Sequence, residues 1–251
     1  MDLGLKGKVV LVTGGARDVG GEISRFLAAE GAVVAVNFNK SEGEALSVVR
    51  QVADAGGVAN AYQADISNHT KVTAMVAKIR ADYGKIDILV NNAGYVKYQK
   101  FIDSKPMDWK AQIDVCTYGA LNCCHAVLPH MVEQGWGRII SLVGDSSRIG
   151  EANLAIAAAA RAANIALGKS LAKEVSRFGV TVNSVSLGLV QTSHSDAEFL
   201  AKNMDKIVKA YPSRRIGNAD DVAPTVGFLA SESASWITGQ VLSVNGGFCM
   251  V

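Results

Sequence analysis

Short runs of mostly apolar, often β-branched residues alternate along the chain with longer segments whose apolar positions recur at helical spacing. Seven of the short runs are strand-like: 9–12, 33–36, 59–63, 86–91, 138–143, 180–185 and 240–244. Runs that are apolar throughout, rather than alternating with polar positions, are typical of strands covered on both faces. The pattern therefore predicts a parallel sheet buried between two layers.

Six longer segments between these runs have helical patterns: 19–30, 41–55, 71–83, 109–133, 153–178 and 220–230. Strands that alternate with helices predict an α/β fold. No linker, repeat or low-complexity stretch divides the sequence. We therefore expect a single domain over 1–251, a Rossmann-like doubly wound parallel sheet of about seven strands with helices on both faces. Such a sheet binds ligands beyond the carboxyl ends of its strands.

The composition narrows the class of protein. Lys and Arg number 25 and Asp and Glu 23, a net charge of +2 without basic runs, so we expect neither a nucleic-acid nor a membrane partner. No apolar run reaches the about 20 residues of a spanning helix, and the N-terminus does not resemble a secretory signal, so a cytoplasmic location is expected. The four cysteines have no metal-ligand spacing, and no metal is expected. Charged residues make up only 19%, which favours some surface buried between subunits.

A glycine-rich turn, 13–21 (TGGARDVGG), joins the first predicted strand to the first helix. Glycines in this place let the backbone approach a pyrophosphate at the helix N-terminus. Further motifs follow in order: Asp65-Ile66, the NNAG of 91–94, and the stretches 212–223, 228–232 and 237–247. Over essentially its whole length the chain closely resembles the short-chain dehydrogenase/reductase family.

The resemblance implies an NAD(P) site. The expected contacts are Gly14, Arg17, Val19 and Gly20 for the phosphates, Asp65 and Ile66 for adenine, and Asn92, Ala93 and Gly94 for the ribose and nicotinamide. The second strand is followed by NFNKS, without the acidic residue that binds a ribose 2′-hydroxyl. Arg17 and Lys40 would suit a 2′-phosphate, so an inherited preference favours NADP.

Two residues depart from the family's cofactor motifs. Asp18 replaces a glycine of the turn, and Leu187 replaces the proline before Gly188. A carboxylate at position 18 would repel the pyrophosphate, although Asp18 could instead simply cap the helix. We expect the site to be vestigial, with cofactor binding weak or lost.

The catalytic positions depart further. The family uses Asn, Ser, Tyr and Lys, and the flanking motifs GRII (137–140) and KSLA (169–172) place Cys116, Gly144, Ala157 and Arg161 at those positions. Ala157 has no ionisable proton, Gly144 has no hydroxyl, and a guanidinium does not deprotonate. The sequence therefore predicts no catalytic residues at these four positions.

Other residues near the expected cleft leave alternatives open. Tyr95 and Tyr98 follow the NNAG turn and could replace the missing acid or simply line a substrate wall. Asp145 and His194 lie on candidate pocket loops, and Ser146 and Ser147 could reach the pocket. The letters SHSD at 193–196 are those of a hydrolase triad, but neighbours on one loop cannot converge as a triad does.

We expect a catalytically inactive family member kept as a structural partner of an active, NAD-dependent paralogue, in a heterodimer or heterotetramer. The resemblance implies that the two long helices predicted at 109–133 and 153–178 form the interface. The second carries small residues suited to close approach, namely Ala158, Ala162, Ala163 and Ala166. These alanines could equally pack inside the domain. An active NAD(P)-dependent oxidoreductase with a rearranged acid, and a ligand sensor that uses the cleft without chemistry, are the alternatives.

Overall fold

The computed structural model describes residues 2–251, which form one parallel sheet. The strands are β1 (Val9–Val12), β2 (Val33–Phe38), β3 (Val58–Gln63), β4 (Ile88–Asn91), β5 (Gly137–Gly144), β6 (Val180–Leu187) and β7 (Val241–Val244). Their order in the sheet is β3-β2-β1-β4-β5-β6-β7, and each neighbouring pair is parallel. The predicted doubly wound, seven-stranded sheet is confirmed.

The helices are α1 (Asp18–Ala29), α2 (Glu42–Asp54), α3 (His69–Tyr83), α4 (Pro106–Ile113), α5 (Gly119–Glu133), α6 (Ser146–Ile149), α7 (Ala155–Val175), α8 (Ala197–Ile207) and α9 (Ala219–Ala230). Apolar residues of α1, α2 and α9 cover one face of the sheet, and those of α3, α5 and α7 cover the other. The sequence of β1 is apolar throughout because both faces of this strand are covered. Val10 and Val12 belong to the core with α1, α2 and α9, and Val9 and Leu11 belong to the core with α3, α5 and α7. All four residues are buried.

The segment 109–133, predicted as a helix, is helical throughout. The helical backbone begins earlier, at Pro106, whose fixed φ and missing N–H suit the start of a helix. Within it, a π-helical turn, Asp114–Tyr118, joins α4 to α5. Asn164 of α7 donates its Nδ2 hydrogen to the carbonyl oxygen of Cys116 in this turn, at 2.9 Å. The helix is confirmed, and the π-helical turn is a feature that its pattern did not predict.

α8 was not predicted, although its sequence carries a signal. Asp196 accepts a hydrogen bond from the backbone N–H of Phe199 at 2.9 Å and so caps the helix. Leu200 is its buried apolar position. α8 follows the loop 188–196 that leaves β6, and this loop forms one wall of the crevice described below.

The crevice opens at the carboxyl ends of the strands. β1 lies between β2 and β4, so the chain leaves the middle of the sheet in both directions, and the switch point falls beside the glycine turn. Among residues 2–251, no helix combines the length and hydropathy needed to cross a bilayer. Within the same residues, no cluster of three or more His, Cys, Asp or Glu could hold a metal ion, and the four cysteines are free and buried.

Candidate dinucleotide and catalytic cleft

The glycine turn after β1 is held in shape by the protein's own groups. Thr13 Oγ1 accepts hydrogen bonds from the backbone N–H groups of Asn92 and Ala93 at 3.0 and 3.1 Å. Asn92 Nδ2 donates to the carbonyl oxygens of Thr13 and Gly14 at 3.0 and 3.1 Å. The predicted phosphate turn and the predicted NNAG segment are therefore joined directly at the switch point.

Two glycines of the turn are required by its geometry. Gly14 has a φ of +61°, in the left-handed region that favours glycine. A Cβ atom on Gly20 would overlap the carbonyl oxygen of Gly14 and Nδ2 of Asn92. Val19 is buried beneath them, so the turn keeps the close backbone approach that the motif predicts.

The end of β2 supports the turn from one side. Asn37 is buried, and its Oδ1 accepts a hydrogen bond from the backbone N–H of Gly14 at 3.3 Å, while its Nδ2 donates to the carbonyl of Ala64 at 3.1 Å. Arg17 and Lys40 are exposed. The preference for a 2′-phosphate that these two cations favour stays a prediction.

Asp18 does not cap α1, and its effect on a pyrophosphate stays a prediction. Its φ is +50°, and Arg17 at the start of α1 and Asp18 itself make no side-chain cap to the helix. Instead, the Asp18 carboxylate accepts two hydrogen bonds from Ser193, from the backbone N–H at 2.6 Å and from Oγ at 3.0 Å. The simple capping interpretation was wrong. The carboxylate lies at the turn, but it is bonded to the loop after β6.

The residues expected at the adenine have structural partners. Asp65 Oδ1 accepts hydrogen bonds from the backbone N–H and the hydroxyl of Ser67 at 3.0 and 2.7 Å. Ile66 is buried, and its carbonyl accepts from Asn122 Nδ2 at 2.9 Å. Both residues lie just beyond the end of β3, where the motif predicts them, but an adenine contact stays a prediction.

Arg161 lies at the opposite end of the cleft, beside the NNAG segment. Its Nη1 donates a hydrogen bond to the carbonyl of Leu142, near the end of β5. Its Nη2 lies so close to Gly94 that a Cβ atom there would overlap it. The guanidinium thus sits over Gly94, the residue expected to contact the nicotinamide side of the cofactor.

The other three predicted catalytic positions carry no free acid or base. Ala157 is buried on α7, and a Cβ atom on Gly144 would have only Ser146 Oγ within 3.3 Å. Cys116 is buried, and its thiol donates to the carbonyl of Tyr95 at 3.5 Å. The structure brings Gly144 and Ser146 together, so that a side chain at position 144 would require Ser146 Oγ to shift by a few tenths of an ångström.

The remaining candidates have other partners. Asp145 is buried and accepts hydrogen bonds of 2.6 Å from Ser186 Oγ and Asn245 Nδ2, which occupy both of its carboxylate oxygens. Burial raises the pKa of the nearby Glu151 carboxyl, and the negative charge of Asp145 raises that pKa further. Tyr98 is exposed, and its hydroxyl accepts from Asn153 Nδ2 at 3.0 Å. Tyr95 and His194 are also exposed.

Comparisons with known proteins decide the family. A family profile described as enoyl-(acyl carrier protein) reductase matches residues 14–249. The 3-oxoacyl-[acyl-carrier-protein] reductase FabG of Staphylococcus epidermidis is 36% identical over 244 residues, 97% of this chain and 99% of the relative. The enzyme of the same name from Escherichia coli K12 is 35% identical over 252 residues, 99% of this chain and all of the relative (100%). This chain belongs to the short-chain dehydrogenase/reductase family. Among solved structures, the crystal structure of gox2181 superposes with a TM-score of 0.93 at 30% identity and covers 98% of this chain and 97% of that chain.

Members of the short-chain dehydrogenase/reductase family use NAD or NADP, so the residues of this cleft can be tested against a dinucleotide. The backbone of the glycine turn fits a pyrophosphate, since Gly14 and Gly20 keep the required close approach. The side chains do not fit. The Asp18 carboxylate lies at the turn in place of a glycine, and Arg161 covers Gly94 at the nicotinamide end. Each end of the cleft therefore carries a side chain that departs from the family's cofactor motif.

Three residues that shape this family member's cleft were not found from the sequence. Ser193 binds Asp18, Leu142 binds Arg161 through its carbonyl, and Asn164 donates to the carbonyl of Cys116 in the π-helical turn. Ser193 and Asp18 are separated by 175 residues, so no local pattern links them. Asn164 offered one signal, because it is a polar residue among alanines on a predicted buried helix.

Proposed function

We propose that this chain is a catalytically inactive subunit of a heteromeric NAD-dependent alcohol dehydrogenase, in which it supports an active paralogue. The observation that carries the proposal is the set of side chains at the four catalytic positions. Gly144 and Ala157 have no proton to exchange, and Arg161 keeps its charge at every physiological pH. The buried thiol of Cys116 is directed at the carbonyl of Tyr95.

The cofactor part of the proposal follows from the two ends of the cleft. A carboxylate at the turn opposes the negative pyrophosphate, and the guanidinium over Gly94 takes space at the nicotinamide end. We therefore propose that this chain binds NAD(P) weakly or not at all, and that the active paralogue holds the NAD.

The partner would contact α7 and the α4–α5 segment. Ala166 of α7 is exposed, and Ala158, Ala162 and Ala163 are only partly covered by the domain. Ile113, Tyr118 and Leu121 are exposed apolar residues along the neighbouring segment. Small residues on one helix beside apolar residues on the next favour a packed helical interface, as in obligate dimers.

The substrate that we propose for the complex rests on a resemblance to another enzyme. The missing catalytic side chains on an otherwise intact scaffold resemble the non-catalytic subunit of 2-[hydroxy(phenyl)methyl]succinyl-CoA dehydrogenase, of anaerobic toluene degradation. We extend the proposal to a substrate of that type, a hydroxybenzylsuccinyl-CoA ester oxidised by the partner.

The relatives favour a second candidate function. Proteins at 35–36% identity over nearly the whole chain carry the name 3-oxoacyl-[acyl-carrier-protein] reductase. An active NAD(P)-dependent oxidoreductase would need another acid, and Tyr95, Tyr98, Asp145 or His194 would have to supply it. Hydride transfer by the isolated chain would favour this candidate over the structural role.

The test is co-expression with a paralogue from the same genome that carries Asn, Ser, Tyr and Lys at its own catalytic positions. Native mass spectrometry should show one stoichiometric complex, which oxidises the alcohol with NAD, while this chain alone transfers no hydride above a no-enzyme blank. Ala157→Tyr alone should stay inactive, because catalytic groups that act as a unit are not restored singly.

The interface has a matched pair of variants. Ala166→Arg places a bulky charge on the exposed side of α7 and should abolish the complex. Ala53→Arg makes the same change at an exposed alanine of α2, on the other face of the sheet, and should leave the complex intact. Full activity of the paralogue alone, with no mixed species at any concentration, would refute the proposal.

A further inference from the structure

Arg161 carries a charge that no other side chain neutralises in the part of the chain that the structure describes. The residue is partly buried on α7. It takes part in none of the ion pairs formed by residues 2–251. Withdrawing a charge from water without a counter-charge costs free energy. A ligand of opposite charge would recover that free energy.

Most of the hydrogen-bonding capacity of Arg161 is also unused. A guanidinium has five N–H groups. Among residues 2–251, the carbonyl of Leu142 is the acceptor that Arg161 reaches, through Nη1. The other nitrogens of Arg161 are not among the buried polar atoms without a partner, so solvent from the cleft reaches them. These donors are therefore available to a ligand.

The surroundings of Arg161 raise the positive potential. Nη2 lies against Gly94, which has no side chain to cover it. Arg161 lies in the second turn of α7, and side chains on a helix lean toward its N-terminus. The helix dipole is positive at that end. An anion is favoured here by both the guanidinium and the dipole.

We propose that Arg161 is the binding residue for the carboxylate of a small organic acid, held in the cleft between Gly94 and Gly144. The planar fork of a guanidinium matches the two oxygens of a carboxylate, which it binds through two parallel hydrogen bonds. The site takes an anion where the family's lysine serves a dinucleotide.

This inference goes beyond the proposed structural role, because ligand binding is measured on the full-length chain without a partner or a hydride assay. The probes are sodium acetate and sodium benzoate, titrated against chloride at constant ionic strength and followed by the side-chain ¹H–¹⁵N resonance of Arg161 Nε. Inorganic phosphate is titrated in parallel. We expect a saturable shift with at least one carboxylate, at millimolar concentration, and a weaker response to phosphate.

The variants separate a specific site from general attraction. Arg161→Gln should weaken carboxylate binding at least tenfold, followed by calorimetry because the reporting resonance is lost. Arg161→Lys keeps the charge without the fork and should give an intermediate affinity. Arg177→Gln removes an exposed arginine beyond the end of α7 and should bind like the unmodified chain. Equal affinity of Arg161→Gln, a response to phosphate alone, or no saturable response of the unmodified chain would overturn the proposal.

Discussion

The two ends of the cleft depart from the family pattern in opposite directions. At the glycine turn a side chain is added, because Asp18 stands in place of a glycine and its carboxylate binds Ser193. At the ends of β5 and α7 side chains are missing, because Gly144 and Ala157 replace a serine and a tyrosine. The first end places a negative charge where an anion is expected. The second end leaves the positive charge of Arg161 without a partner among residues 2–251.

The backbone is nevertheless preserved at both ends, and each end is held by protein groups alone. The turn is joined to β4 by Thr13 and Asn92. At the other end, Thr117 Oγ1 donates to the carbonyl of Ala160 at 2.8 Å, and Asn164 holds Cys116. The comparison teaches that the shape of the cleft and its chemistry are specified by different residues. A family scaffold can therefore persist after its reactive side chains change.

The largest effect that we predict from this comparison is on stability at the turn. Gly20→Ala should lower the free energy of unfolding by about 1–3 kcal/mol, as overpacking of a close backbone contact does. The added Cβ atom would overlap the carbonyl of Gly14 and Nδ2 of Asn92. Urea unfolding followed by circular dichroism measures the change.

The matched control for this variant is Gly43→Ala on α2, where a Cβ atom would meet nothing within 4 Å. That substitution should be neutral or stabilise the chain by up to about 1 kcal/mol, because alanine favours a helix over glycine. If the two variants were equally stable, the turn would not depend on the close approach that the structure shows.

The sequence was sufficient to predict the sheet because each strand is indicated by the hydrophobic pattern of its own residues. A run such as 9–12 is apolar at every position, which only a strand covered on both faces explains well. The helix α8 was missed although Asp196 and Leu200 are local signals. The π-helical turn at Asp114–Tyr118 was not predicted, and Asn164, which bonds the carbonyl of Cys116 there, lies on another helix.

The location of the cleft could be predicted from the sequence, but the hydrogen-bond partners of its charged side chains could not. The motif located Asp18 and Arg161 at the two ends because parallel strands bring their carboxyl ends to one edge. The partners of these residues, Ser193 and Leu142, lie on loops and strands that no motif connects with them. The direction of a charged side chain depends on such distant contacts, so it could not be derived from spacing.

The second prediction concerns nucleotide affinity at the turn. The unmodified chain should bind NAD or NADP at millimolar concentration or not at all, and Asp18→Gly should strengthen binding by about tenfold or more, equivalent to about 1.4 kcal/mol. Removing the carboxylate removes its repulsion of the pyrophosphate, and glycine adopts the φ of +50° without a steric penalty. Calorimetric titration with each nucleotide measures the change.

Two variants separate the effect of the Asp18 charge on nucleotide affinity from the effect of its hydrogen bonds to Ser193. Asp18→Asn removes the charge and keeps the size of the side chain, so it should recover most of the gain if repulsion dominates. Ser193→Ala keeps the carboxylate and removes one of its two hydrogen bonds. Its affinity should stay close to that of the unmodified chain. Micromolar binding by the unmodified chain, unaffected by Asp18→Gly, would show that the turn is still a working phosphate site.

A paired arginine sharpens the contrast with Arg161 and gives the smallest predicted effect. Arg215 donates two hydrogen bonds of 2.6 Å, one to each carboxylate oxygen of Asp221 in the first turn of α9. These hydrogen bonds, together with one from the backbone N–H of Asn218, lower the pKa of Asp221 to about 2, from 3.8. Because the folded-state pKa is depressed, this carboxylate contributes stability that is fully present above 3.8 and lost as the pH falls through about 2.

Asp221→Asn should therefore lower the melting temperature slightly at pH 7, by about 2 °C, because exposed ion pairs contribute little. The difference between the variant and the unmodified chain should shrink as the pH falls from 4 toward 2, since the unmodified carboxyl then becomes protonated as well. Asp220→Asn is the matched control, because Asp220 forms no ion pair among residues 2–251 and its substitution should leave the acid profile unchanged. Thermal unfolding followed by circular dichroism between pH 7 and pH 2.5 measures both. A constant difference across that range would mean that the Arg215–Asp221 pair does not hold the carboxylate ionised, and the contrast with the unpaired Arg161 would then lose its electrostatic basis.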